Sequence, residues 1–240
     1  MLTYNELKEK PKEFLAATGL MVDEFELLLS VFRQKYANLF VPGMTRKGTP
    51  RQRREGGGVK EKLLTDEDKL LFILVYQKTF PLQTMHGLQF GLSQPQTNYW
   101  IHRLLPVLRE SLVEMGVAPE RDPQKVADSP LVNEAAPDLL IDGTERRRQR
   151  PKDANQQEDS YSGKMKTHTD KNILLVNSHS RKVVYLSPTE KGKKHDKKIA
   201  DENAIAYPTG ATLGKDTGFQ GYEPNGVITF QPKKSQKVKS

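Results

Sequence analysis

The sequence predicts an α/β protein in which an all-helical N-terminal domain precedes a C-terminal domain built around a sheet. Through much of residues 1–118, apolar residues recur every three or four positions, which is typical of amphipathic helices. After residue 137 this spacing gives way to short apolar runs bounded by turn residues, which is typical of strands. None of the 240 residues is a cysteine, which excludes a disulfide scaffold, thiolate-bound zinc and thiol catalysis.

Two long helices are predicted in the first domain. Asp23 is the expected cap of the helix over residues 23–40, whose apolar face carries Phe25, Leu28, Leu29, Phe32, Tyr36 and Phe40. We expect this face to pack inside the domain, and the alternative is that it joins two copies in a homodimer. The next helix is capped by Thr65 or Asp66 and is ended by Pro81.

Residues 82–116 have the pattern of a helix-turn-helix. A short helix over residues 82–90 is followed by a turn at Gly91, and Ser93 with Gln96 forms a capping box for a second helix. The first residues of such a second helix face base edges in DNA. The predicted DNA-contacting side chains are therefore Gln94, Gln96, Thr97, Asn98 and Arg103. An ordinary helical hairpin in a core is the alternative interpretation.

The chain is basic, with a formal net charge of +8, and this favours a polyanionic partner such as nucleic acid. Residues 43–62 are rich in Arg, Lys and Gly, which is typical of either a solvated linker or an arm that contacts phosphates. Residues 119–136 are polar and proline-rich, and we expect them to link the two domains. No apolar run is long enough to span a membrane and no signal peptide is evident, so an intracellular, soluble protein is expected.

Two aspartates follow predicted strands of the second domain. Its five apolar runs lie in residues 138–143, 172–178, 182–188, 211–216 and 226–232, with a helix between the third and the fourth. Asp142 ends the first run and Asp216 ends the fourth, which places both at the sheet edge where ligands usually bind in α/β proteins. Paired carboxylates can hold Mg²⁺ for phosphodiester cleavage. The alternative is that each aspartate only forms a turn.

The charge excess is concentrated beside these aspartates. Residues 145–200 contain 15 Lys and Arg against 7 Asp and Glu. Such a field attracts phosphates towards carboxylates that hold a divalent ion, which is what an enzyme acting on phosphodiesters requires. The basic residues predicted to contact DNA here are Arg146, Arg147, Arg148, Lys164 and Lys166.

Four motifs in order resemble the DDE transposases of bacterial insertion sequences and the related Harbinger-type endonucleases. They are LLIDGTERRRQRP, YSGKMKTHTDKN, KVVYLSPTEKGKKHDKKI and LGKDTGFQGY. The resemblance implies a helix-turn-helix domain followed by an RNase H-like domain with a mixed sheet. It implies that Asp142 and Asp216 bind Mg²⁺ or Mn²⁺ to cut element ends and join them to target DNA at the bacterial nucleoid. His195 and Asp196 are expected only to support that site.

The sequence departs from the family at the third acidic residue. The family has a helical Glu well after the second aspartate, whereas the only acid after Asp216 is Glu223, which precedes Pro224 in a predicted turn. We therefore expect a C-terminally truncated RNase H-like domain that is inactive by itself. The alternatives are a catalytically dead, DNA-binding repressor of transposition and a basic nucleic-acid-binding protein without catalytic ancestry.

Overall fold

The computed structural model describes residues 1–39, 49–50, 62–132 and 137–232. It divides the chain into two compact units, Met1–Met115 and Gly116–Ser240, which we call the helical unit and the sheet unit. No helix in the described part of the chain is long and apolar enough to cross a membrane. The basic segment predicted over residues 43–62 lies outside the described residues except at positions 49, 50 and 62.

Six helices are described in the helical unit. They are α1 (Tyr4–Leu7), α2 (Pro11–Thr18), α3 (Val22–Ala37), α4 (Asp66–Thr79), α5 (Gln83–Gln89) and α6 (Gln94–Glu114). The predicted cap at Asp23 is wrong, because α3 begins one residue earlier, at Val22, and Glu24 accepts a hydrogen bond from the Met21 N–H at 2.8 Å. The aromatic face of α3 is buried in the core of this unit, as expected for a packing helix.

Helix α4 is the central element of this core. Residues 70–76 of this helix are all buried. Because seven consecutive residues point in every direction around a helix, α4 is buried on all sides along this stretch. Thr65 caps it by accepting a hydrogen bond from the Asp68 N–H at 3.1 Å, which is one of the two predicted caps. The helix ends at Thr79, where Phe80 adopts a left-handed φ of 43° before Pro81.

The connection between α5 and α6 is a tight turn that brings the two helices into contact. Gly91 adopts φ +66°, which a side chain would strain, and the Ser93 N–H donates to Gln96 Oε1 at 3.0 Å in the predicted capping box. A Cβ on Gly87 would lie 2.6 Å from Thr97 Oγ1 and 2.5 Å from the Leu92 carbonyl oxygen. This close approach fixes the helix-turn-helix.

The sheet unit is built on one long central strand, β1 (Asp138–Arg147). Strand β3 (Thr167–Asn177) pairs with it antiparallel on one side, and β6 (Thr212–Lys215) pairs with it parallel on the other. The remaining elements are α7 (Ala154–Ser160), β2 (Tyr161–Ser162), β4 (Val183–Leu186), β5 (Glu190–Lys191), α8 (Asp196–Asn203) and β7 (Ile228–Phe230). Strand β7 is parallel to β6, while β2, β4 and β5 are antiparallel to β3. This mixed sheet is consistent with an RNase H-like domain.

Alternation along β1 separates the two faces of the sheet. Leu139 and Ile141 are buried in one core with Leu213 and with Ile199 of α8, whereas Leu140 is 48% exposed on the other face. All five predicted strands and the helix after the third are present. The charged continuation of β1 through Arg147, and α7, were not predicted because their sequences lack apolar alternation.

Residues predicted to link the two domains are partly packed onto the sheet unit. Glu120 forms a parallel bridge with Tyr185, and its N–H donates to the Val184 carbonyl oxygen at 2.8 Å. Val126 of a 3₁₀ turn over Pro123–Asp128 is fully buried in the sheet core. The prediction of a linker over residues 119–136 is therefore corrected for the described part of this segment. Its composition is mostly polar, but a few apolar residues in it are deeply buried and attach it to the sheet unit.

Candidate active site

Asp142 and Asp216 lie side by side at the point where β6 leaves the sheet. The last paired residues of β1 and β6 are Ile141 and Lys215, so the two aspartates follow directly on neighbouring parallel strands. Adjacent strands are about 4.8 Å apart. Strand β1 continues to Arg147, beyond the point where its pairing with β6 ends. We call the unpaired edge of β1 beside Asp142 the notch.

Both aspartates are exposed and ordered by nearby backbone N–H groups. Asp142 Oδ1 accepts a hydrogen bond from Gly143 at 2.7 Å, and Asp216 Oδ1 accepts one from Gly218 at 2.8 Å. Among the described residues, no cation forms an ion pair with either carboxylate. Their remaining oxygen lone pairs are available to a hard cation. No three His, Cys, Asp or Glu side chains of the described ranges are close enough together to form a metal centre by themselves.

A third carboxylate, that of Asp196, lies beside the notch. Asp196 is the first residue of α8. A Cβ on Gly143 would lie 2.8 Å from its Cγ, and a Cβ on Gly218 would lie 3.6 Å from its Oδ2 and 3.0 Å from Asp216 Oδ1. One oxygen of Asp196 and one of Asp216 therefore both lie near Gly218.

Lys171 ties Asp196 to the sheet. Its ammonium lies 3.2 Å from Asp196 Oδ1 and donates to the Lys194 carbonyl oxygen at 3.1 Å, and its side chain is only 10% exposed. Asp196 Oδ1 is shielded from solvent and has no hydrogen-bond partner in the described structure. Lys171 also faces Glu145 in the β1–β3 register.

Glu145 is held as a carboxylate on the same side of the sheet. Burial raises its pKa, but hydrogen bonds from Ser162 and Thr169 and the charges of Lys171 and Lys164 outweigh burial and leave the pKa below its usual value. Thr169 Oγ1 donates to Glu145 Oε1 at 2.6 Å. This polar cluster was not predicted from the sequence. The signal that could have found it is that Gly143, Glu145 and Arg147 continue, at every second position, the face of β1 that carries apolar residues upstream.

Glu223, the one acid after Asp216 in the sequence, is bound elsewhere. It pairs with Lys215, whose side chain is 1% exposed, and it accepts a hydrogen bond from Thr229. The hydrogen bond from Lys215, followed by that from Thr229, lowers the pKa of Glu223.

The predicted basic residues occupy different surfaces. Arg146 shares a strand face with Asp142, and Arg147 lies on the opposite face. Arg148 is paired with Asp170 at 2.8 Å. Lys164 and Lys166 are exposed in the turn between β2 and β3.

In the helix-turn-helix, the polar side chains at the start of α6 form a small surface network. Gln94 Nε2 and Asn98 Nδ2 both donate to Gln83 Oε1, at 2.6 and 3.4 Å. Gln94 and Gln96 are exposed, and Asn98 is half-buried. Gln83 was not predicted, because its contribution depends on the angle between α5 and α6.

Two of the predicted DNA-contacting residues are placed differently from the others. Thr97 is a correction: it is fully buried, donates to the Ser93 carbonyl oxygen at 3.0 Å and packs against Gly87, so it cannot reach a base edge. Arg103 is half-buried, with its guanidinium over the rings of Tyr36 and Tyr99.

Comparison with known families agrees with this arrangement of a helix-turn-helix and a carboxylate-bearing mixed sheet. Residues 141–239 match the DDE superfamily endonuclease family, and residues 61–114 match the helix-turn-helix of DDE superfamily endonuclease. No curated protein and no solved structure gave a significant match. The two family matches support a transposase-like, DNA-binding nuclease. The chain belongs to the DDE superfamily of endonucleases.

Proposed function

We propose that this protein is a DNA transposase of a bacterial insertion sequence, acting at the nucleoid. It would bind the ends of its element, cut them and join them to target DNA, using Mg²⁺ or Mn²⁺ at Asp142 and Asp216. The observation that supports the proposal is the register of β1 and β6, in which Asp142 and Asp216 directly follow the last paired residues of two neighbouring parallel strands.

The residues at the notch fit a divalent ion of this kind. The donors are carboxylate oxygens, which Mg²⁺ and Mn²⁺ prefer. When bound, such ions activate the attacking oxygen and stabilise the leaving oxygen of the phosphodiester.

The protein's own side chains would then place the DNA backbone. Arg146 lies four residues beyond Asp142 on the same strand face, where it can hold a phosphate near the one being cut. Arg147, Lys164 and Lys166 add positive charge along the strand and the following turn. Arg148 is less available because Asp170 already neutralises it.

Sequence reading is assigned to the start of α6. Gln94, Gln96 and Asn98 are amides, which bond the adenine edge in two places. Gln96→Ala with Asn98→Ala should reduce the preference for the element's ends by about 1–3 kcal/mol per lost contact, without weakening binding to unrelated duplexes. A fluorescence-anisotropy titration at fixed salt measures both. Gln34→Ala, which removes an exposed amide from α3, is the matched control.

The nuclease assignment is tested with DNA carrying the element's ends, incubated with purified full-length chain and Mg²⁺ or Mn²⁺. The departure from the family at the third acidic residue leads us to expect binding of these ends without cleavage by this chain alone. Cation-dependent cleavage that Asp142→Asn and Asp216→Asn each reduce by at least about a thousandfold, and that Asp201→Asn at an exposed pair with Lys197 leaves unchanged, would correct that expectation and support an active nuclease. A chain that does not bind these ends would overturn both the transposase and the repressor.

A further inference from the structure

We propose that the sheet unit binds one unpaired nucleobase of its DNA in a hollow formed by α7, β2 and β3. This inference rests on the proposed function, because the base belongs to the DNA strand whose backbone is brought to the notch. We call this site the aromatic hollow. Its volume is about 590 Å³, which is within the range of small-ligand sites, and it is lined by Arg150, Gln157, Glu158, Tyr161, His168 and Lys193.

Two aromatic side chains form a corner in the aromatic hollow. Tyr161 of β2 faces His168 of β3 in the strand register, and their ring centroids lie 5.8 Å apart with the rings inclined at 75°. A flat base can therefore lie against one ring while its edge meets the other, and every base has a face for such stacking. Tyr161 is 45% exposed, so its ring is accessible. A paired base already stacks on its neighbours, so the ligand that fits is an unpaired base.

Close packing holds another wall of the aromatic hollow in place. Gly192 precedes Lys193, and a Cβ on Gly192 would overlap Thr169 Oγ1 and lie 2.8 Å from the Ser160 carbonyl oxygen. The Lys193 N–H also donates to the Asp159 carbonyl oxygen at 3.1 Å. The turn that carries Lys193 is therefore pressed against β3 and the end of α7. A wall that is already in place reduces the entropy lost when a ligand binds.

The charge at the rim suits the phosphate of a bound nucleotide. Arg150 Nε and Nη2 donate to Gln157 Oε1 at 2.9 and 2.7 Å, which fixes the guanidinium and leaves its other N–H groups for a phosphate. Lys193 is paired with Glu158 at 2.6 Å, whereas no carboxylate in the described ranges pairs with Arg150. Arg150 is therefore the cation at this rim that we assign to the phosphate.

The aromatic hollow lies on the same face of the sheet as the Asp142 side chain. Asp170 pairs with Arg146 in the β1–β3 register, and Arg146 shares a face with Asp142. His168 is two residues from Asp170, and Tyr161 is its partner in β2, so both rings lie on this face. The stretch of β1 from Asp142 to Arg146 spans about 13 Å, which corresponds to about four base pairs of a duplex. A strand with a phosphate at the notch therefore reaches the rings within a few nucleotides.

The test is binding of single-stranded oligothymidine to the full-length chain, measured by fluorescence anisotropy at raised salt, where contacts to phosphate alone are weak. We expect Tyr161→Ala to weaken binding about fivefold to a hundredfold, and Tyr161→Phe, which keeps the ring, to stay within about twofold of the unaltered chain. Phe230→Ala is the matched control and should bind as the unaltered chain does. Phe230 is a 59% exposed aromatic residue on the same face, at the opposite edge of the sheet. Circular dichroism establishes that each variant is folded.

A fully paired duplex separates stacking from a structural role of Tyr161. We expect the unaltered chain and Tyr161→Ala to bind this duplex with equal affinity, because its bases stack on one another. A loss on the duplex as large as the loss on the single strand would mean that Tyr161 supports the fold or the backbone contacts, and it would overturn the stacking role.

Arg150→Gln separates the phosphate contact from stacking. It should reduce the slope of log affinity against log salt for oligothymidine by about 0.7, the contribution of one phosphate in a single strand, whereas Tyr161→Ala should leave the slope unchanged. An unchanged slope in Arg150→Gln would contradict the assignment of this cation to the phosphate.

Photocrosslinking identifies the side chains that hold the base. Oligothymidine with 5-iodouracil at one position is irradiated on the full-length chain, and mass spectrometry of the digest locates the adduct. We expect adducts at Tyr161 or His168. Adducts confined to the helical unit would overturn the proposal.

The two proposals fail differently in these experiments. A chain that binds neither the element's ends nor oligothymidine would overturn the transposase and the aromatic hollow together. If the chain binds the element's ends, and Tyr161→Ala binds oligothymidine as tightly as the unaltered chain does, only the aromatic hollow is overturned.

Discussion

The helical unit and the sheet unit differ in where their buried lysines lie. The described core of the helical unit is aromatic and aliphatic, and it encloses neutral groups such as His86, Thr97 and Ser111. Among the described residues, the helical unit buries one lysine, Lys69, which pairs with Asp66 in the first turn of α4, whereas the sheet unit buries Lys171 and Lys215, each within reach of a carboxylate. Both lysines lie on strands next to the notch.

This difference reflects what each unit must position. A helix that reads DNA needs exposed amides on a rigid support, and apolar packing supplies the rigidity. Beside the two strand-end aspartates of the sheet unit, the buried ammonium groups of Lys171 and Lys215 restrain other carboxylates, those of Asp196 and Glu223. Substitutions of the two kinds should therefore have distinct consequences.

We expect Phe72→Ala in the helical unit to reduce stability more than any of the other substitutions below. Phe72 is fully buried, and the centroid of its ring lies 4.3 Å from that of His86 and 5.1 Å from that of Phe90. Its loss should lower the free energy of unfolding by about 3–5 kcal/mol. Trp100, the single tryptophan of the chain, is buried in this unit and reports its unfolding in denaturant. Phe80→Ala, at a 76% exposed position, should change stability by less than about 0.5 kcal/mol.

Lys171→Met tests the charged interior of the sheet unit. It keeps the volume of the side chain but leaves Asp196 and the Lys194 carbonyl oxygen without their partner, which should cost about 1–3 kcal/mol. Denaturation followed by circular dichroism measures the change, with the exposed Lys182→Met as control. An unaffected midpoint would mean that packing, and not the ion pair, stabilises this part of the sheet.

The smallest expected effect is the dependence of the helical unit's stability on pH. Burial lowers the pKa of His86 below its ordinary value of 6.5, and its Nε2 lies 3.1 Å from the Phe72 carbonyl oxygen. The unfolded state therefore binds a proton more readily, so stability is complete above about pH 6.5 and falls as the pH is lowered, by at most about 1.4 kcal/mol per pH unit. Thermal unfolding followed by Trp100 fluorescence, at several pH values between about 7.5 and 5, measures how steeply the stability changes with pH.

His86→Gln should reduce that slope, whereas His102→Gln, at an exposed position, should not. An equal slope in the unaltered chain and both variants would place the titrating group elsewhere.

Local patterns in the sequence were sufficient for much of the fold. The capping box at Ser93 and the Thr65 cap depend on residues within three positions, and the strands carrying Asp142 and Asp216 are continuous apolar runs. The burial of Thr97 could not be predicted, because it depends on how closely α5 approaches at Gly87.

The contact between Lys171 and Asp196 could not be predicted either, since it joins β3 to α8 across 25 positions. Polar residues that pair across such separations give no periodic signal in the sequence. The notch was anticipated only through its two strand-end aspartates.

The most direct test of the account is to locate the divalent ion on the polypeptide. Fe²⁺ substituted for Mg²⁺ on the full-length chain, with ascorbate and peroxide, generates hydroxyl radicals that cut the nearest backbone, and mass spectrometry identifies the cuts. We predict cuts next to residues 142 and 216, which excess Mg²⁺ suppresses and Asp142→Asn abolishes. Cuts confined to other parts of the chain would contradict the assignment of the ion site to the notch.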